Sequence, residues 1–139
     1  MKNLLALLII FLISPISIAN EVTHIGNQEL KDLMQRGAAV IDVRTVSEWK
    51  KSGVIEGSHL IMFYDESGKY DLNGWLSEVT KVVNKGDALI LICHSGSRSK
   101  QLAKHLADVV GYKDVYNVKR GISYWIKKKN SVVAPSQVH

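Results

Sequence analysis

The stretch that decides the fold is DALILICHSGSRSKQLAKHLADVVGY, residues 87–112. It opens with an apolar run, 87–93, rich in branched side chains, which is typical of a strand buried on both faces. From residue 98 onward the apolar side chains recur at helical spacing, and Gly111 suits the C-terminus of a helix. The stretch therefore predicts a strand that passes through a short polar turn into a helix over 98–112.

A similar alternation of strand-like and helix-like segments runs along the rest of the chain. Asn27 is a candidate N-cap for the first helix, which we expect to end at Gly37. The other predicted strands are 38–43, 58–63 and 114–118, and the other predicted helices are 27–37, 45–53, 72–84 and 121–129. Strands separated by helices favour an α/β fold with a mainly parallel central sheet and helices on both faces.

The composition is that of one globular domain. The chain has 139 residues, of which 46% are hydrophobic and 22% are charged, and this is enough to bury a core of ordinary size. No internal repeat or low-complexity segment divides the sequence. We expect the domain to span residues 20–130 and the C-terminal tail, 131–139, to be loosely held.

The first residues, 1–19, have the layout of a secretory signal peptide. Lys2 precedes an unbroken apolar run, and the small residues Ser17 and Ala19 then follow with one residue between them. Retention as a membrane anchor is the alternative, but the run is shorter than the ~20 apolar residues that a spanning helix needs. We therefore expect cleavage after Ala19, no stable membrane insertion afterwards, and an exported protein, periplasmic if the source is bacterial.

The pattern of charged and metal-ligating side chains argues against nucleic-acid binding and against a metal site. The net charge is +5, and the densest basic stretch is 127–129 with Lys119 and Arg120. This stretch could contact nucleic acid or anionic lipid, or it could be a solvated helix end that complements the helix dipole. We favour the solvated helix end, so no nucleic-acid partner is predicted. His59 and His105 have no partner at metal-ligand spacing, so no metal site is predicted.

Cys93 is the only cysteine of the chain. Exported proteins commonly pair their cysteines, so a single one is a free thiol or an intermolecular partner, unless it is merely a small buried hydrophobe. Its position favours function, because ligands of open α/β sheets bind at the carboxyl ends of strands. The N–H groups of residues 94–99 can surround an anion there and stabilise a thiolate, so Cys93 is predicted to be a nucleophile.

The residues after Cys93 are candidates for binding a substrate anion. Gly96 allows a tight turn, and Arg98 offers a charged fork suited to oxyanions. Serines and glycine are also ordinary turn residues, and Arg98 has an alternative role, pinning the loop to a carboxylate such as Asp42 or Glu48. The candidate substrate-binding set is His94, Ser95, Gly96, Ser97, Arg98 and Ser99.

The chain resembles the rhodanese-like (sulfurtransferase) domain family over nearly its whole length after the leader, and four segments carry the resemblance. They are VIDVRTVSEW at 40–49, GVIEGSHLI at 53–61, CHSGSRS at 93–99 and NVKRGISYW at 117–125. The resemblance implies that Cys93 forms a persulfide. It also implies that Asp42, Arg44 and Glu48 support the region beside the active loop. Three positions depart from the family pattern: Val54 where His is common, Glu56 where Pro is, and Arg120 where the first of two glycines is.

The length of the loop separates two chemistries. Cysteine phosphatases have five residues between Cys and Arg, whereas here four separate Cys93 from Arg98, which resembles the sulfurtransferase type. The resemblance then implies transfer of a sulfane sulfur from a small anionic donor such as thiosulfate to a thiol, a dithiol or cyanide, without a cofactor. The alternative is a non-enzymatic exported module that carries sulfur to a protein acceptor or simply binds a partner.

Overall fold

The computed structural model describes residues 20–137, so the predicted signal peptide lies outside the described residues. Five strands form one sheet: β1 Thr23–Ile25, β2 Ala39–Asp42, β3 His59–Leu60, β4 Leu89–Ile92 and β5 Val115–Val118. Their order is β1-β5-β4-β2-β3, and every neighbouring pair is parallel. The predicted α/β fold with a parallel sheet is confirmed.

Helices cover both faces of this sheet. They are α1 Asn27–Gln35, α2 Val46–Ser52, α3 Leu72–Val79, α4 Ser97–His105 and α5 Gly121–Lys127. A π-helical segment, Leu106–Val110, continues α4, and a short 3-10 turn spans Pro135–Gln137. Within residues 20–137, no helix is long and apolar enough to cross a membrane.

The central strand β4 contributes to two apolar cores, which explains its uninterrupted apolar sequence. Because successive strand residues point to opposite faces, Leu89 and Leu91 join the core under α3 and α4, whereas Ile90 and Ile92 join the core under α1 and α5. All four side chains are completely buried. The strand that carries the next residue, Cys93, is therefore held rigidly from both sides.

Several predicted boundaries are corrected by the structure. Gly26 precedes α1 as its N-cap, and Asn27 is the first helical residue. The helix predicted over 72–84 ends at Val79, after which the chain continues as turns. The strand β1 was not predicted, because only one of its three residues is buried and it has no alternating apolar pattern.

The C-terminal tail is not loosely held over its first residues, which corrects the expectation. Val133 forms an antiparallel bridge with Val54, with main-chain N···O distances of 3.0 and 2.9 Å. The indole N–H of Trp125 also donates to the carbonyl of Ser131, at 2.8 Å. Val54 is fully buried beneath this segment, so the tail completes the core instead of leaving it.

Candidate active site

Cys93 lies immediately after β4, in the loop that leads to α4. Cys93 is 1% exposed, and three potential hydrogen-bond donors lie within reach of its sulfur. The N–H groups of Gly96 and Ser99 donate to Sγ at 3.1 and 3.5 Å, and the hydroxyl of Ser99 lies 3.2 Å from it. Donors directed at one sulfur stabilise negative charge on it, and this is the environment that a thiolate nucleophile needs.

Two glycines allow the loop to pack closely against the chain before and within α5. Gly96 has a φ of +93°, and a Cβ at this position would overlap the carbonyl of Lys119. Gly121 has a φ of +59°, and its Cβ would overlap the carbonyls of Cys93 and His94. A side chain at either position therefore requires the backbone of the loop to move.

The start of α5 also binds the loop through hydrogen bonds. The N–H of Ile122 donates to the carbonyl of Cys93 at 2.9 Å, and that of Ser123 donates to the carbonyl of His94 at 3.0 Å. Carbonyls on one side of the loop thus face α5, while N–H groups on the other side face the sulfur. This arrangement fixes the donors before any substrate binds.

The side chains of the predicted substrate-binding set do not all share one environment. Those of His94, Ser95 and Ser97 are exposed, whereas Ser99 is fully buried against the sulfur. Ser97 is the first residue of α4, and Gly96 is its N-cap. Only Gly96 and Ser99 of this set contact the sulfur, and binding of a substrate by the others stays a prediction.

Arg98 is bound to Glu48. Its two terminal nitrogens donate to the two carboxylate oxygens, Nη1 to Oε2 at 2.9 Å and Nη2 to Oε1 at 2.6 Å. The hydrogen bond from Arg98 is the main cause that lowers the pKa of Glu48 to about 2. The same bond raises the pKa of Arg98, with a smaller contribution from the nearby Cys93. Both Nη groups are thus occupied, which favours the alternative of a loop brace over a donor-binding role.

Glu48 is itself held in place by the N-terminus of α2. Thr45 is the N-cap, and its N–H donates to Glu48 Oε2 at 3.0 Å. In return the N–H of Glu48 donates to the hydroxyl oxygen of Thr45 at 3.3 Å, which completes a capping box. One carboxylate therefore caps α2 and clamps the guanidinium of the active loop.

Asp42 and Arg44 form a second ion pair that does not touch the sulfur. The Nη2 of Arg44 donates to Asp42 Oδ2 at 2.7 Å, and the two side chains are 0% and 1% exposed. Arg44 also donates to the hydroxyl of Ser52 at 2.7 Å and to the carbonyl of Gly53 at 2.8 Å. This pair joins the end of β2 to the end of α2, and its side chains make no hydrogen bond to the loop after Cys93.

Sequence analysis did not identify Asn117, which contacts Ser99, the residue whose hydroxyl lies beside the Cys93 sulfur. Asn117 on β5 is 1% exposed, and its Oδ1 accepts the hydroxyl of Ser99 at 2.6 Å. Its Nδ2 lies 3.1 Å from Nδ1 of His24 on β1. An asparagine inside an otherwise apolar strand was the available signal, because strands are depleted in asparagine.

The fold and this site define a class of protein, an α/β domain with a single buried cysteine in the loop that follows a central parallel strand. Within residues 20–137, no three His, Cys, Asp or Glu side chains are grouped to hold a metal ion. Residues 26–128 match the model of the rhodanese-like domain. The chain belongs to the rhodanese-like domain family.

Individual relatives agree with this assignment. The chain is 30% identical over 112 residues to thiosulfate sulfurtransferase 18 of Arabidopsis thaliana, covering 78% of this chain and 81% of that protein. It is 28% identical over 89 residues to the putative sulfur carrier protein YrkF of Bacillus subtilis, covering 64% of this chain and 42% of that one. A crystal structure of a rhodanese-related protein from Thermoplasma volcanium superposes with a TM-score of 0.60, at 26% identity, covering 80% and 97% of the two chains.

Proposed function

We propose that this protein is a sulfurtransferase that carries a sulfane sulfur as a persulfide on Cys93. The observation that carries the proposal is the environment of the Cys93 sulfur. Cys93 directly follows the buried strand β4, and the N–H groups of Gly96 and Ser99 donate to its sulfur. Donors held in place before the reaction stabilise charge on sulfur without reorganising. The thiosulfate sulfurtransferase among the relatives supports the same activity.

The reaction divides into two displacements at sulfur. In the first, the Cys93 thiolate attacks the outer sulfur of thiosulfate, the S–S bond of the donor breaks, and sulfite leaves with the bonding electron pair. The outer sulfur stays on Cys93 as a persulfide anion. In the second, a thiolate or cyanide attacks that outer sulfur, and the electron pair of the broken bond returns to Cys93. Charge balances in both steps, so no oxidant or reductant is needed.

The test is a pair of measurements on wild type and Cys93→Ser. After incubation with thiosulfate and removal of excess donor, intact-protein mass spectrometry should show one added sulfur on wild type and none on the variant. Transfer to cyanide should disappear in the variant, while its melting temperature stays close to that of wild type. Retained turnover in folded Cys93→Ser would disprove the mechanism.

A sulfur carrier that delivers to a protein acceptor is the second candidate, and the similarity to a putative sulfur carrier protein favours it. It uses the same persulfide, so the loop geometry supports both candidates equally. Their kinetics differ. Rapid persulfide formation with very slow turnover on small acceptors indicates a carrier, whereas fast steady-state turnover indicates an enzyme.

We also propose that the protein acts after export, because residues 1–19 have the pattern of a signal peptide. In a bacterial host the compartment would be the periplasm. Expression of the full chain in such a host, followed by fractionation and N-terminal sequencing, tests this. A mature N-terminus at Asn20 in the periplasmic fraction supports the proposal, and an intact N-terminus in the cytosol contradicts it.

A further inference from the structure

A basic pocket adjoins the loop that encloses Cys93. Its volume is about 320 Å³, and it is lined by Ser95, Arg120, Ser123, Tyr124 and Lys127. Ser95 belongs to the active loop, two residues after the nucleophile, and the other four residues lie at the start and along the length of α5. The pocket is therefore continuous with the loop that would hold the persulfide.

The cationic side of this pocket is held in position. The guanidinium of Arg120 lies 3.7 Å from the centre of the Tyr124 ring, within the range of a cation–π contact. The hydroxyl of Ser123 donates to the carbonyl of Arg120 at 3.3 Å. The N–H of Ser123 also donates to the carbonyl of His94 at 3.0 Å, so a direct hydrogen bond joins the pocket to the active loop.

The charge of the pocket is uncompensated. Arg120 and Lys127 are exposed cations, and no carboxylate lines the pocket. Across the described part of the chain, the acidic groups in ion pairs are Asp42, Glu48, Glu78 and Asp108, and all are bound to other cations. Arg98 differs in this respect, since Glu48 already neutralises it. The pocket thus offers the positive charge near the loop that Arg98 does not.

We propose that this pocket binds the carboxylate of a small acidic thiol, which accepts the sulfur from Cys93. The inference rests on the proposed sulfurtransferase function and names the class of its acceptor. The volume falls within the range of small-molecule sites and has room for a molecule larger than thiosulfate. A carboxylate bound at Arg120 leaves the thiol of the same molecule free to reach toward the loop.

The transfer step follows from this placement. The thiolate of the bound acceptor attacks the outer sulfur of the Cys93 persulfide, and a new S–S bond forms. The bond between the outer sulfur and Sγ breaks, its electron pair stays on Sγ, and Cys93 is again a thiolate. The acceptor leaves as a persulfide, so no external oxidant or reductant takes part.

The experiment isolates this second step. Cys93 is loaded with thiosulfate, excess donor is removed, and loss of the added sulfur is followed by rapid mixing with either of two thiols. Mercaptosuccinate carries two carboxylates, and monothioglycerol is neutral. Each rate constant is divided by that of wild type, so the intrinsic reactivity of each thiol cancels. The variants are Arg120→Gln, Arg120→Lys and, as a control at the opposite edge of the sheet before β5, exposed Lys113→Gln.

Arg120→Gln should slow the reaction with mercaptosuccinate by about three- to fivefold, the range of a partly exposed ion pair, and should spare monothioglycerol. Arg120→Lys should retain most of the rate, Lys113→Gln should match wild type, and 0.5 M salt should shrink the difference. If Arg120→Gln slows both thiols equally, or slows neither, the proposal that this pocket binds the acceptor is overturned. Failure of wild type to gain sulfur from thiosulfate would instead overturn the proposed function, and the mass measurement shows which has occurred.

Discussion

The two ion pairs at the ends of α2 each join an arginine to a carboxylate, but they have different roles. Asp42–Arg44 is completely buried and joins β2 to the end of α2, whereas Glu48–Arg98 is about 30% exposed, with side chains at 29% and 32%, and joins the start of α2 to the active loop. The first pair therefore fixes the position of a structural element, and the second fixes the loop relative to that element. A charged residue near an active site can thus stabilise the fold, hold a loop in place or bind substrate. The residue that it pairs with shows which of these roles it has.

The largest expected effect comes from breaking the buried pair. Arg44→Met leaves the Asp42 carboxylate buried without a partner, which should cost about 3–5 kcal/mol of unfolding free energy. Urea denaturation followed by circular dichroism measures this. The double variant Asp42→Leu with Arg44→Met should recover much of the loss, because an apolar pair of similar volume needs no charge compensation. A loss below about 1 kcal/mol in the single variant would contradict the role assigned to this pair.

Breaking the exposed pair should harm activity more than stability. Arg98→Ala should lower the unfolding free energy by only about 1 kcal/mol, because the pair is partly solvated. Its kcat/KM should fall about 10-fold or more with thiosulfate and with a neutral organic trisulfide alike, since the loop loses its brace. Arg98→Lys should rescue little, because the two-pronged geometry is lost.

The matched control lies on the same helix. Lys104→Ala breaks the exposed pair with Asp108, and we expect wild-type kinetics and a change in stability of about 0.5 kcal/mol or less. Should Arg98→Ala instead raise KM for thiosulfate alone and leave the neutral donor and the melting temperature unaffected, Arg98 would be a donor-binding residue and not a brace.

The smallest expected effect is on the pH dependence of stability. The pKa of Glu48 falls from its ordinary value of 4.5 to about 2 in the folded protein, chiefly because Arg98 donates to it. A lowered folded-state pKa stabilises the protein above pH 4.5, and this contribution is lost as the pH falls toward 2. Solvent exposure reduces its size. Melting temperatures of wild type and Glu48→Gln should therefore converge between pH 4.5 and 2, and a constant difference over this range would contradict the linkage.

The sequence predicted the parts of this site that depend on neighbouring residues. The apolar run of β4 and the turn after it correctly placed Cys93 between the end of a central parallel strand and the start of a helix. Such features are local, since the strand, the loop and the helix follow one another along the chain. The same reasoning identified two alternatives for Arg98 but did not decide between them, because Glu48 lies 50 residues away.

Contacts across the fold were the ones that sequence reasoning missed. Asn117 meets Ser99 only because β5 lies beside β4, and nothing in the neighbourhood of Asn117 along the chain indicates that pairing. The bridge between Val54 and Val133 was missed for the same reason, and the tail was expected to be loose. Short edge strands such as β1 carry too few residues to show a pattern.

The position of the Ser99 hydroxyl proton depends on the charge of the Cys93 sulfur. A hydroxyl has one proton, yet Ser99 lies within bonding distance of both Asn117 Oδ1 and Cys93 Sγ. With a neutral thiol, the proton is best placed on the shorter 2.6 Å contact to Asn117. A thiolate attracts it instead, so charging the sulfur breaks one hydrogen bond to make another. For the proposed sulfur transfer, this means that the Ser99 hydroxyl would exchange its partner each time the charge on the sulfur changes.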